Sequence, residues 1–140
     1  MLLTVERVAA LRHVTLFAET PARVLAGLAA VLQETEFRAG EELMREGAVE
    51  DWLYVVTSGD VEVTRADRAV RMSAECVVGE LQVLDPEARS ATVTALTPVT
   101  ALRLDKPAFD DALLVRPEIA TGVITELVRR LREKHEPPQA

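Results

Sequence analysis

The stretch Gly79-Glu80-Leu81-Gln82-Val83-Leu84-Asp85-Pro86-Glu87-Ala88-Arg89-Ser90-Ala91-Thr92-Val93-Thr94 sets Glu80 nine residues before Arg89, which opens a β-type run. These residue types compose a small anion site. A helix N-terminus offers unpaired N–H groups, and a glycine such as Gly79 lets the backbone approach a bound anion closely. Arg89 adds a planar, permanently charged fork that can grip two phosphate oxygens, and the Ser90 hydroxyl can donate one more hydrogen bond. Glu80 would repel a phosphate. Within such a site it must face a donor, and a sugar hydroxyl is the natural one.

The rest of the chain suits a small acidic binding domain. With 140 residues it can bury a core without disulfides or metals, and with 49% apolar but only 4% aromatic residues that core is expected to be aliphatic. A net charge of −7 argues against direct nucleic-acid binding, which rewards clustered Lys and Arg. One local positive site is enough for a small phosphate ligand. Cys76 is the sole cysteine, so no intrachain disulfide forms and a reducing cytoplasm fits; next to Val77 and Val78 it reads as a buried apolar thiol. His13 and His135 lie in opposite terminal segments, which disfavours a triad or a His-rich metal site. Glu6 and Arg7 interrupt what would be the core of a signal peptide, and no uncharged apolar run approaches the roughly 18 to 20 residues of a membrane helix.

Periodicity divides the chain into helices, strands and helices. Residues 1–12 carry a loose apolar stripe of Leu3, Val5, Val8 and Leu11, and Thr20-Pro21 is expected to start a second helix to about Leu32, with Thr20 as N-cap. Then come short strand candidates at Gln33–Phe37, Glu42–Met44, Trp52–Ser58, Asp60–Arg65, Ala69–Met72, Glu75–Val78, Ala91–Ala95 and Val99–Leu104, punctuated by Gly40, Gly47 and Gly59. From Lys106 the pattern is helical again, with a longer helix from Pro117 to about Glu133. About eight short strands between terminal helices make an α+β chain whose strands close into a barrel or a jelly roll. Periodicity does not choose between these.

A phosphate group on one side and a free ribose hydroxyl on the other describe a cyclic nucleotide. The segment resembles the phosphate-binding cassette of cyclic nucleotide-binding domains of the catabolite activator and kinase regulatory-subunit type, whose usual form reads Phe-Gly-Glu-Leu-Ala-Leu, a short turn, then Pro-Arg-Ala-Ala-Thr-Val. Gly79, Glu80, Leu81, Leu84, Arg89, Ala91, Thr92 and Val93 match, whereas Val78, Gln82 and Ala88 depart from it. Gly40-Glu41-Glu42-Leu43 to Glu46-Gly47, and Tyr54-Val55-Val56-Thr57-Ser58-Gly59-Asp60-Val61-Glu62-Val63, are similar to two further blocks of the family and occur in its order. Met72-Ser73-Ala74-Glu75 stands where many members carry a Gly-Pro-Gly turn.

The resemblance implies one domain over 1–140, with N-terminal helices in 1–32, an eight-stranded antiparallel β-jelly-roll barrel in 33–105 holding the cassette at 79–90, and C-terminal helices in 106–135. It implies a non-catalytic regulatory sensor whose ligand is cAMP, with cGMP second, and no other cofactor. The implied binding residues are Gly79, Glu80 for the ribose 2′-hydroxyl, Leu81, Gln82, Arg89 for the phosphate, Ser90 and Ala91, with Arg130 of a lid-like last helix against the base. Phe109 and Leu81 are expected to carry motion to the C-terminal helices, and Arg89→Ala to leave the unliganded fold intact. The chain ends shortly after the last helix, leaving no room for a helix-turn-helix, so the output is expected from an effector domain or partner protein outside it. Two alternatives compete. Gln82, Val78 and the missing glycine turn suit a binding-silent module for interaction or oligomerisation, and an enzyme on a cupin-like barrel would need metal ligands that two distant histidines do not supply.

Overall fold

A computed structural model describes residues 2–135 of the chain. The side chain of His135 and the extreme ends of the expected 1–140 domain lie outside the described residues. The helices α1 (Thr4–Leu11) and α2 (Ala22–Ala29) precede the strands β1 (Gln33–Phe37), β2 (Glu42–Met44), β3 (Val49–Glu50), β4 (Trp52–Ser58), β5 (Asp60–Arg65), β6 (Arg68–Ser73), β7 (Cys76–Val78), β8 (Glu87–Ala88), β9 (Thr92–Ala95) and β10 (Val99–Asp105). Two helices, α3 (Lys106–Val115) and α4 (Pro117–His135), follow.

Eight of these strands form two four-stranded antiparallel sheets, ordered β1-β10-β4-β7 and β2-β9-β5-β6. This is the jelly-roll arrangement, and it corresponds to the eight strand candidates within a residue or two at each end. The structure adds a ninth and a tenth strand, β3 and β8, paired as a separate ribbon with Val49 opposite Ala88 and Glu50 opposite Glu87. Two residues carry no period, so pairing across the fold is what makes these segments strands.

The central strands explain why one stretch reads as almost uninterrupted apolar sequence. In β4, Leu53 and Val55 face the helices whereas Tyr54 and Val56 face the barrel interior; in β10, Leu102 and Leu104 face the helices and Val99 and Ala101 the interior. Alternation along a strand sends neighbours to opposite faces, and here both faces are covered. The helix-side core gathers Leu11, Phe17, Leu25, Leu28, Phe109 and Ile119, with the Phe17 and Phe109 rings 6.0 Å apart. Each such side chain contributes roughly 1.5–3 kcal/mol by leaving water.

Two local expectations change. Thr20 does not cap α2: Pro21 has an extended ψ of 146° and takes the N-cap position, its carbonyl receiving the N–H groups of Val24 and Leu25. The proline lies outside the first turn, so the Thr20 hydroxyl points instead into the interface with α4, buried and without a hydrogen bond among the described residues. There it faces Gly122, where a Cβ would come within 2.6 Å of its oxygen. Secondly, α2 ends at Ala29, about a turn before Leu32. At the other end, Pro117 separates α3 from α4 because the residue before a proline is pushed out of helical geometry, and Arg116 has φ −130°, ψ 83°.

In Met72-Ser73-Ala74-Glu75, where the resemblance led to the expectation of a glycine turn, Glu75 adopts the glycine-like conformation itself, at φ 67°. Its N–H bonds the Val56 carbonyl at 2.9 Å and its carboxylate meets His13 at 2.9 Å. A left-handed conformation costs an L-residue about 1–2 kcal/mol, so the turn forms without glycine at some expense in backbone strain.

Candidate functional site

The cassette begins where β7 leaves its sheet. Gly79 has φ 78° and turns the chain into a single 3-10 turn, Glu80–Val83, after which the chain runs through β8 to Arg89 and into β9. A cavity of about 350 Å³ opens against this turn. Gly79, Glu80, Leu81, Gln82, Arg89, Ser90 and Ala91 all line it, and Met44, Val63, Met72, Val77, Val78 and Val93 supply an apolar wall. The residues expected from the sequence thus converge on one concave surface, with Arg130 as the exception.

Arg89 forms the floor of the cavity and is 3% exposed. Its Nε donates to Glu50 Oε1 at 2.8 Å, Nη2 to the Trp52 carbonyl at 2.6 Å and Nη1 to Gln82 Oε1 at 3.3 Å. Its guanidinium lies 5.6 Å from the centroid of the Trp52 ring, which Arg103 approaches from 3.9 Å. A guanidinium has five N–H donors. Three are committed here among the described residues, which leaves two for a ligand. Backbone pairing holds the arginine in place, because its N–H bonds the Ala48 carbonyl at 2.8 Å and its carbonyl takes the Gly47 N–H at 2.9 Å.

Gly79 has no Cβ for two reasons. Its φ is positive, and a Cβ would lie 2.4 Å from Arg89 Nη1, 2.4 Å from Met44 Cε and 3.0 Å from the Trp52 carbonyl oxygen. Glycine is what lets the guanidinium lie against the cassette backbone.

Glu80 is tied in another direction. Its Oε1 accepts hydrogen bonds from Thr15 Oγ1 at 2.8 Å, the Leu16 backbone N–H at 2.7 Å and Arg130 Nη2 at 3.2 Å. Arg130 is therefore placed on the carboxylate, where it also bonds Thr15 Oγ1 and Glu126, and it is not among the residues lining the cavity. Glu126, 1% exposed, is held below the ordinary glutamate range chiefly by its hydrogen bond from Arg129, against the opposing effect of burial, with Arg130 helping.

Leu81 is half exposed at the cavity rim, while Val83 and Leu84 of the same turn join the core that contains Phe109. Within this segment it is Val83 and Leu84 that pack against the helix-side core, and Leu81 is not part of that cluster. Lys106 at the start of α3 adds a polar link, its Nζ donating to the Leu84 carbonyl at 3.1 Å. Ser90 is exposed on the mouth of the cavity. Cys76 is a packing thiol: burial raises its pKa above the ordinary value, which keeps it protonated.

Sequence reasoning missed Glu50, the Trp52 carbonyl, Thr15 and Leu16. The first lies in a two-residue strand, and the second is a backbone atom that no residue type advertises. Thr15 and Leu16 sit in a single 3-10 turn, Thr15–Phe17, more than sixty positions from the carboxylate they hold.

Comparison with known proteins agrees with this geometry. The family profile for the cyclic nucleotide-binding domain matches residues 34–115. A CRP-like cAMP-activated global transcriptional regulator of Mycobacterium tuberculosis is 33% identical over 114 residues, covering 77% of this chain and 51% of the regulator. The cGMP-dependent protein kinase egl-4 of Caenorhabditis elegans is 38% identical over 79 residues, 56% of this chain and 10% of the kinase. The chain thus spans about half the length of the regulator and a small part of the kinase. Among solved structures, the N-terminal domain of a transcriptional regulator from Streptomyces coelicolor A3(2) superposes with a TM-score of 0.82 at 36% identity, covering 90% of this chain and 94% of that one.

Proposed function

The chain belongs to the cyclic nucleotide-binding domain family, a ligand-binding module rather than an enzyme, and we propose that it is a sensor for cAMP, with cGMP the second candidate. One observation supports this above the rest: the buried Arg89, with two N–H donors uncommitted among the described residues, lines a cavity that sets Glu80, Gln82 and Ser90 opposite an apolar Met and Val wall. The fork would take two oxygens of the cyclic phosphate, Glu80 the ribose hydroxyl, Ser90 and the backbone of Gly79 to Gln82 would complete the anion side, and the Met and Val wall would receive the base. The name of the mycobacterial relative supports cAMP and that of the nematode kinase keeps cGMP in play.

Binding would act by population shift. A ligand that holds the cassette turn differently from the empty state biases Val83, Leu84 and Lys106, which touch the helix-side core and α3. An effector domain or partner protein would read out that shift.

Gln82 favours a second reading, in which the domain binds no nucleotide. Its side-chain oxygen sits 3.3 Å from Arg89 Nη1, on the guanidinium a phosphate would need. Thermal unfolding in the presence of cAMP or cGMP separates the two. Ligand at 100 times its dissociation constant raises stability by about 2.7 kcal/mol, and a melting temperature unmoved by millimolar cAMP and cGMP alike would favour the silent module. Gln82→Ala is expected to tighten binding about threefold, since the long hydrogen bond from the Arg89 guanidinium to the Gln82 side chain is given up when phosphate enters.

A further inference from the structure

Two guanidiniums meet the ring of Trp52. Arg103 places its guanidinium carbon 3.9 Å from the centroid, and its Nε is fixed in turn by Asp105 Oδ1 at 2.6 Å. The Arg89 guanidinium lies 5.6 Å from the same centroid, inside the roughly 6 Å over which a cation and a π-face attract. The ring is half-buried against the barrel-interior core, yet its indole N–H is buried without a hydrogen bond among the described residues. A buried indole N–H ordinarily has a partner. Leucine or phenylalanine would fill apolar space here with no orphaned donor, so packing alone does not account for a tryptophan. What tryptophan adds is the π-face that attracts cations most strongly.

We infer that Trp52 is a positioning residue for phosphate binding: its ring, braced by Arg103, keeps the Arg89 guanidinium from tilting away from the ligand. The inference rests on the proposed function and adds to it two side chains that do not line the cavity. Glu50, Gln82 and the Trp52 carbonyl accept from the edge of the guanidinium, so they chiefly resist its turning within its own plane. A contact on the face resists the tilt. That matters because a hydrogen bond weakens steeply once it is bent, and a tilted fork would lose its grip on both phosphate oxygens together.

The test follows Arg89 directly as well as through its ligand, using the whole chain. Trp52→Leu keeps the backbone carbonyl that Arg89 uses and removes the π-face, Trp52→Phe restores a smaller face, and Arg103→Met removes the brace. A thermal melt of each unliganded variant checks folding, and Arg103→Met, on a different strand, carries the same two measurements should Trp52→Leu fail to fold. Calorimetric titration with cAMP is expected to show affinity about tenfold weaker in Trp52→Leu, within the range of a largely desolvated cation–π contact, and smaller losses in Trp52→Phe and Arg103→Met. Hydrogen exchange at the Arg89 Nε–H of the unliganded chain, read by heteronuclear NMR and assigned by its loss in Arg89→Lys, is expected to quicken in Trp52→Leu and to slow again in Trp52→Phe. A ring that only packs would lower the melting temperature and move neither measurement. A folded Trp52→Leu or Arg103→Met that binds cAMP as the wild type does, or whose Arg89 Nε–H exchanges at the wild-type rate, overturns the inference, although the proposed function would stand. A wild type that binds neither cAMP nor cGMP overturns the proposed function and this inference together.

Discussion

The two charged ends of the cassette are held in opposite ways. Arg89 is enclosed by the barrel: its partners are Glu50, the Trp52 carbonyl and Gln82, and its own backbone is paired to the β2–β3 turn region at Gly47 and Ala48. Glu80 is held by the chain's helical extremities, through Thr15, Leu16 and Arg130. The sheets change little in shape under load because their hydrogen bonds are shared across strands, whereas helices can slide on a packed surface. The difference teaches that the Arg89 end of this site is built into the barrel, whereas the Glu80 end is fastened to elements packed outside it.

Arg89→Ala breaks the comparison most severely. It removes the proposed phosphate fork and leaves Glu50 and the Trp52 carbonyl without their donor in a largely enclosed place. Nucleotide affinity is expected to fall more than a hundredfold, and stability by about 3 kcal/mol, the lower range for a broken buried pair because Glu50 is 21% exposed. Calorimetric titration and urea unfolding measure the two losses. A residue that acts only on ligand would leave the fold intact, which was the expectation from sequence; its burial at the centre of three hydrogen bonds is the reason to expect otherwise.

Gly79→Ala is the next largest effect. The new methyl would meet Arg89 Nη1 and Met44 at 2.4 Å and force a left-handed conformation on alanine, so stability is expected to fall by about 2 kcal/mol. Because the clash pushes the guanidinium itself, nucleotide affinity should drop as well. A destabilised protein that binds with unchanged affinity would show that Arg89 is not the phosphate ligand.

The smallest effect sharpens the ribose side. Glu126 has a lowered folded pKa, from the Arg129 hydrogen bond first, so its contribution is complete above the ordinary glutamate value of 4.5 and is lost as pH falls through the lowered value. Wild type is therefore expected to lose stability more steeply than Glu126→Gln as pH falls below 4.5. Acid-induced unfolding followed by circular dichroism compares the two slopes. Parallel slopes would mean that Glu126 does not help to hold α4 and Arg130 against Glu80.

Much of this molecule could be read along the chain. The eight sheet strands were visible because each is long enough, or apolar enough, to show a period between turn residues, and Gly79, Glu80 and Arg89 were visible because glycine, carboxylate and guanidinium at that spacing have few other uses together. Thr20 misled because a Thr-Pro pair is a helix start in two different registers, and only the ψ of Pro21 separates them. For Arg130, helical spacing places it on α4 but says nothing about which partner its long side chain reaches.

The sequence by itself determined about eight strands between terminal helices and the chemistry available at the two ends of the cassette, because these depend on local period, on turn residues and on residue type at short range, and it was the family resemblance that pointed to the jelly roll. Only the tertiary structure decided what each end is fastened to. Glu50 reaches Arg89 across 39 positions and Thr15 reaches Glu80 across 65, and Arg130 closes on the same carboxylate from 50 positions away. Contacts at such separations are set by how sheets and helices fold back on one another, and no local pattern in the chain encodes them.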